Sequence, residues 1–284
     1  FDRKVRLWVA SRRTVSNHNS GVLCLDYNGT VDNTKDDLYR YRYNVTNEDG
    51  ASTDFRGVYA LAEDLNGEIW IGCGEGVFVV KKPDAWFNND FRITQIKVPR
   101  NDGTNYADYL LAGVAVSAFA VDGANRKWIG TYGAGLYLVS SDGTAILEHF
   151  TAENSPLLSN SIKSLVLDPT NGKLMIGTDK GLCAYQGDAT PAFAQLEAQN
   201  VKVYPNPVQP DYYGDVIISG LTQDADIKIT TTAGIVVASG RSIGGTFRWN
   251  AKDFNGFRVR SGVYFVLIAT ANAKQGIVAK VAVI

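Results

Sequence analysis

Three aspartates recur at matching places in this chain. Asp64, Asp122 and Asp168 each close an apolar run, and six or seven residues later come Trp70, Trp128 and Met175. Paired carboxylates are what a general acid–base catalyst needs. A carboxylate at the same place in every copy of a repeat has another use, which is to accept backbone hydrogen bonds in a turn. The repetition favours the turn. The two histidines, His18 and His149, fall in a loop insertion and beside a strand end, and neither has a nucleophile motif nearby. Cys24, Cys73 and Cys183 lack metal-ligand spacing. Cys183 occupies the strand position of Phe78 and Tyr137, so it reads as a small apolar filler. No phosphate loop, HExxH or EF-hand loop occurs. We therefore assign no catalytic residue, metal ligand or cofactor.

A second group could bind rather than react. Leu38–Asn44, LYRYRYN, alternates Tyr39, Tyr41 and Tyr43 against Arg40 and Arg42. Period two makes this a strand with an aromatic face and a basic face. The plain expectation is an outer strand whose tyrosines pack on a neighbouring sheet. The sharper one is a platform for sugar rings, which makes the three tyrosines ligand candidates. Asn28-Gly-Thr and Asn44-Val-Thr match the glycosylation sequon, a pattern too short to weigh.

These residues are set by a repeating unit. Gly57–Val80 reads GVYALAEDLNGEIWIGCGEGVFVV, and similar stretches run over Ala115–Val139 and Ser161–Tyr185. A damaged first copy lies at Val5–Ser11 and Gly21–Tyr27. Each intact copy has an apolar run ending in Asp, a turn, a strand ending Ile-Gly, a Gly-rich turn and a third strand. Asn66-Gly67 and Asn171-Gly172 suit the positive φ of tight hairpins. Short strands rich in Val, Ile, Trp and Tyr suit sheets half-buried between neighbours. The centres Trp8, Trp70, Trp128 and Met175 lie 62, 58 and 47 residues apart, about one four-stranded β-propeller blade with variable loops. The inner strands are expected at Val58–Glu63, Val116–Val121 and Ile162–Leu167, and the aligned Trp residues as packing between blades. The first copy starts at its second strand, so the reading is an incomplete ring of about four blades, with sequence missing before Phe1.

The texture changes after Gln186–Asn200, which reads as a last strand or a linker. Tyr204-Pro205-Asn206-Pro207 deletes two backbone donors and cannot sit in a central strand. Six short apolar strands then follow to Ile284, with turns at Ala233-Gly234, Gly244-Gly245 and Asn255-Gly256. About seven strands in some eighty residues is the count of a small immunoglobulin-like sandwich. The division is 1–200 for the blades and 201–284 for the sandwich. Residues 201–284 hold nine Lys/Arg against five Asp/Glu, whereas the whole chain has net charge −1. That balance gives no electrostatic attraction for nucleic acid, and no apolar run is long enough for a membrane helix.

Val58–Phe78 and Val116–Tyr137 resemble the two-component-regulator propeller repeat of Bacteroidetes, and Asn154-Ser155-Pro156-Leu157 resembles the segment that precedes a copy. Cys73 stands for the usual Thr, Met175 for Trp, and Arg12–Ser20 is an insertion. Residues 201–284 resemble the C-terminal sorting domain of the type IX secretion system. The matching features are YPNPV at Tyr204–Val208, Ile218–Leu221, Ile227–Val237, Trp249–Gly256, SGVY at Ser261–Tyr264 and the terminal Lys280-Val281. Ala251 stands where that family usually has Gly. The resemblance makes Tyr204, Pro205, Asn206, Pro207, Gly262, Val263, Tyr264, Lys280 and Val281 candidates for a sorting signal. It implies a non-enzymatic protein carried across the outer membrane to the cell surface, associated with the secretion machinery and recognising a lipopolysaccharide or other surface glycan. Two alternatives remain. One is the periplasmic sensor propeller of a hybrid two-component regulator, which should continue into a membrane helix. The other is a secreted hydrolase, which lacks its acid–base pair here.

Overall fold

The computed structural model describes residues 1–12, 19–100 and 103–284. His18, most of the Arg12–Ser20 insertion and the first two residues of the Asn101–Asn105 loop lie outside them. The described chain is all-β apart from a short 3₁₀ helix at Pro83–Phe87. It divides into two compact units. The first takes Phe1–Val121, Asn125–Leu167 and Leu174–Tyr185, and the second takes Asp122–Ala124, Asp168–Lys173 and Gln186–Ile284.

In the first unit β1 (Leu7–Ser11), β2 (Gly21–Asp26) and β3 (Leu38–Arg42) form one antiparallel sheet. A hairpin of β4 (Asn44–Thr46) and β5 (Ser52–Asp54) leads to a second repeat sheet, β6 (Val58–Glu63), β7 (Ile69–Cys73) and β8 (Gly76–Val80). Another hairpin, β9 (Lys97–Pro99) with β10 (Ala107–Tyr109), precedes β11 (Val116–Val121), β12 (Lys127–Thr131), β13 (Leu136–Val139) and β14 (Ile146–Phe150). The last sheet is β15 (Ile162–Leu167), β16 (Lys173–Thr178) and β17 (Gly181–Gln186). The three expected first strands thus have the expected bounds. Among the described residues, only one of the four repeat sheets reaches four strands by pairing. Beside β8 the fourth strand is reduced to a single bridge, Val79 to Thr94. The loop after Lys81 holds the two short strands β9 and β10.

The Ile-Gly signature has a packing cause. A Cβ on Gly72 would lie 2.5 Å from Val116 Cγ1, and one on Gly130 would lie 2.6 Å from Ile162 Cγ2. Only Gly lets the next sheet's first strand approach so closely. Trp70 and Trp128 are buried beside those contacts, Trp70 with Val116, Ile129 and Val139, and Trp128 with Ile162 and Leu165. The expected role of the aligned tryptophans as packing between sheets holds. Each repeat also carries the same register shift, at Val58/Ala60, Val116/Ala118 and Ile162/Ser164.

In the second unit β18 (Lys202–Tyr204), β19 (Val216–Ser219), β20 (Asp226–Thr231), β21 (Val236–Arg241), β22 (Thr246–Trp249), β23 (Gly262–Ala269) and β24 (Gly276–Val283) form two antiparallel sheets. Their orders are β18-β19-β22 and β21-β20-β23-β24. Both bury their inner faces in one core that includes Ile218, Ile229, Trp249, Val266 and Val281. Residues 187–200 contribute no strand.

Candidate functional site

The recurring aspartates are turn acceptors, and one is more. Asp64 Oδ1 accepts from the backbone N–H of Asn66 and of Glu68, each at 2.9 Å. Its Oδ2 accepts from Lys127 Nζ at 2.8 Å and Asn125 Nδ2 at 3.2 Å. Asn125 Oδ1 in turn accepts from Leu65 N. The side chains of Asp64 and Lys127 are both 0% exposed, and Lys127 Nζ lies 4.4 Å from the Trp70 ring centroid. Burial pushes the Asp64 carboxyl up, but the bonds from Lys127, Glu68 N and Asn125 outweigh it and hold the group below the usual carboxylate range. This carboxylate has no lone pair left for a substrate. Lys127 escaped the sequence reading, although a signal was present. It stands where the other copies have Ile69 and Leu174, a charge at a core strand position.

Asp2 repeats the arrangement. It precedes Trp8 by the same six residues and accepts from Lys4 N and Arg6 N at 3.0 Å. Its Oδ2 accepts from Arg6 Nε and Trp8 Nε1. The first copy therefore keeps its turn. Asp122 and Asp168 accept from the N–H groups two residues on, of Ala124 and Thr170. His149 stacks on Tyr137 at 3.9 Å with Nε2 2.7 Å from Ala134 O. Burial pushes the thiol of Cys24 up to about 12 and that of Cys73 up to about 11. Among the described residues no group of three or more His, Cys, Asp and Glu side chains is placed to hold a metal.

The tyrosine stripe alternates as expected, but its orientation is the reverse of the plain expectation. Tyr39, Tyr41 and Tyr43 are 74%, 39% and 47% exposed. The arginine face packs instead. Arg42 lies over Trp86 and Phe91 and donates to Trp86 O, while Arg40 donates to Phe87 O. Those carbonyls end the 3₁₀ helix, where a cation is favoured. Guanidinium planes stack on rings and bond carbonyls together, and a phenol offers no comparable set of donors. Tyr39 and Tyr41 are left outward on β3, and Tyr43 just past its end.

A second aromatic group lies at one rim of the first unit. Tyr59 and Lys163 sit at the register shifts of β6 and β15, where the extra residue is re-aimed. Arg12 and Tyr132 each stand four residues past the aromatic centre of their own copy. The Tyr59 and Tyr132 rings meet edge to face at 5.1 Å, Arg12 covers both, and Lys163 Nζ lies 5.0 Å from the Tyr132 ring. Such a group sets two cations over two phenol rings. Superposing the copies could have found it, but no single stretch shows it.

The sorting-signal candidates converge. Gly262, Val263 and Tyr264 pair with Val283, Ala282 and Val281 in the β23–β24 ladder. On the other side of β24, Asn206 Nδ2 donates to Lys280 O and Asn206 Oδ1 accepts from Ala282 N, both at 3.0 Å. Val208 continues this by donating to Ala282 O and accepting from Ile284 N. The YPNP segment, which leaves edge strand β18 at Tyr204, thus covers the end of the terminal strand. Tyr264 is buried against Trp249, and its hydroxyl donates to Arg260 O at 2.7 Å.

No protein-family model matches the chain. No curated protein matches it. Among solved structures, the chain is similar to PorZ, described as an essential bacterial surface component of the type-IX secretion system of Porphyromonas gingivalis. Identity is 36%, the TM-score is 0.65, and the match covers 99% of this chain and 38% of that one. The chain thus spans 38% of the PorZ length, and the motif-based resemblance to a component of that secretion system is borne out. The chain is also similar to two extracellular domains from B. thetaiotaomicron, of a putative one-component and a putative hybrid two-component system. These are 11% and 13% identical with TM-scores of 0.40 and 0.39, covering 100% of this chain and 55% and 54% of theirs. Likenesses that low carry no argument.

Proposed function

We propose that this chain is part of a PorZ-like, non-enzymatic surface component of the type IX secretion machinery. The repeat sheets of residues 1–200 serve as propeller blades that bind a surface glycan or a partner protein. Residues 201–284 form an immunoglobulin-like sandwich that the machinery reads as a sorting domain. The observation that carries this reading is the 36% identity to PorZ over 99% of the chain, which takes in both units. The convergence of Asn206, Gly262–Tyr264 and Lys280-Val281 on one strand supports the sorting role, because an edge strand is the part of a sheet that another protein can read. A glycan would find exposed rings at Tyr39, Tyr41 and Tyr43. The test is deletion of Val201–Ile284 in the native host, followed by proteolysis of intact cells. The truncated protein should stay protected inside the outer membrane. Its appearance on the surface would overturn the sorting role.

A further inference from the structure

Strand β24 is an edge strand whose two halves differ. Lys280 O and Ala282 N point away from β23, since both bond Asn206. Residues of like parity in an antiparallel ladder point their backbone groups the same way, so Val278 also faces outward. Past Lys280 the outward groups are taken by Asn206 and Val208. Before it they are open: the N–H and C=O of Val278 and the N–H of Lys280 have no partner among the described residues. The same end of the sheet is concave. A groove of about 560 Å³ is lined there by Asp226, Lys228, Leu267, Ala269, Gly276 and Val278, among others. Its apolar part is exposed, Val278 by 60% and Leu267 by 37%. Leu267 and Val278 are cross-strand partners. Lys228 and Lys280 flank them without a carboxylate partner among the described residues, whereas Asp226 is paired with Arg241 at 3.1 Å.

We propose that the Gly276–Lys280 half of β24 is a strand-addition site for an extended acidic segment of a partner protein. The incoming strand bonds Val278 and Lys280 through its backbone. On the outer face its apolar side chain packs beside Val278 and its carboxylate pairs with Lys280, while Lys228, two strands further in, adds attraction at longer range. Charge complementarity selects this occupant: two cations lacking acids border the groove, in a segment with nine basic residues against five acidic ones. Strand addition takes affinity from the backbone and specificity from alternate side chains. The Asn206 contact has a matching role, since it blocks the other half of the edge and fixes where addition begins.

This deepens the sorting reading and rests on it for the partner's identity, but the face itself is tested alone. The probe is a synthetic peptide whose every second residue is alternately Val and Glu, with Thr between, so that both types lie on one face. It is titrated against the full chain, with a peptide carrying Lys in place of Glu as control. The acidic peptide should bind, more weakly at high salt, and the basic one should not. Val278→Pro, which removes an outward N–H, and the pair Lys228→Glu with Lys280→Glu should each weaken binding about tenfold or more. The charge pair lies on the exposed face, so it serves as the test if the proline variant fails to fold. Equal binding of both peptides, or acidic-peptide binding unaffected by the charge pair, overturns the proposal. In the host, loss of display on deleting 201–284 with normal display of the charge-pair variant would keep the sorting role and sink this face. Display of the truncated protein would sink the sorting role and leave the peptide titration to decide the face.

Discussion

At the scale of residues, the strongest local commitment is the ion pair of Asp64 with Lys127, and its worth lies in how completely it is satisfied. Removing one partner of a buried pair leaves an uncompensated charge, at a cost of roughly 3–5 kcal/mol. We expect Asp64→Ala to destabilise the first unit by that much in denaturant titration. Lys127→Met combined with Asp64→Asn should recover most of it, because the introduced amide oxygen can still accept from the turn while no charge remains buried. The pH dependence follows from the depressed carboxyls of Asp64 and Asp2. Their contribution is fully present above the ordinary carboxyl value of about 3.9 and is lost as pH falls through their lower folded values. Acid titration of Asp64→Asn should therefore be flatter below about pH 4 than that of the parent. Ala251 is a different case. It sits at φ 55°, in the left-handed region, which accounts for the Gly usual at this place in the resembled family. Changing Ala251 to Gly relieves about 1 kcal/mol but gives up a buried methyl of about 0.8 kcal/mol, so thermal melting should barely move. Ala251→Val should cost roughly 2–3 kcal/mol by adding a β-branched strain to overpacking.

Elements tell the story of edges and faces. The Asn206 side chain acts as a one-residue strand, offering a donor and an acceptor at the spacing β24 presents. Two hydrogen bonds of about 0.5–1.5 kcal/mol each are at stake. Asn206→Ala should therefore speed amide exchange at Ala282 by about tenfold or more, while leaving Val266 and Ile268 in the ladder core protected. Unchanged exchange at Ala282 would mean that Val208 alone holds the edge. Strand β3 shows the other lesson. Its period of two was readable, but which face turned inward depended on what waited there. Trp86 and the carbonyls ending the 3₁₀ helix offered bonds to arginine. Tyr39→Ala and Tyr43→Ala should accordingly change stability by no more than about 0.5 kcal/mol in denaturant titration, which makes them clean variants for testing the proposed glycan binding.

On the scale of the whole molecule, charge and core organisation matter more than any single bond. Each unit has its own buried core, Trp70, Trp128 and their neighbours in the first and Trp249 with Tyr264 in the second. The net charge of −1 gives no counterion-release gain of useful size on a phosphate backbone. Binding to DNA should be undetectable at moderate ionic strength in a mobility-shift titration, and a steeply salt-sensitive affinity would contradict this.

The sequence alone determined the repeat, and with it the bounds of β6, β11 and β15 and the burial of Trp70 and Trp128. Period-two patterning and Asn-Gly turns are local, and a fourfold recurrence leaves little freedom in how they are read. It also determined the strands and turns of residues 216–284, because apolar alternation and glycines of positive φ act within a few residues of each other. Only the tertiary structure decided the rest. The pairing of Asp64 with Lys127 joins residues 63 positions apart, and the Asn206 contact with Lys280 joins residues 74 apart. The Tyr59–Tyr132 rim draws on three copies at once and on Arg12. The outward turn of the tyrosines and the open half of β24 have the same origin. A strand's pattern says that its two faces and two edges differ, but which one is covered depends on the partner the fold brings to it.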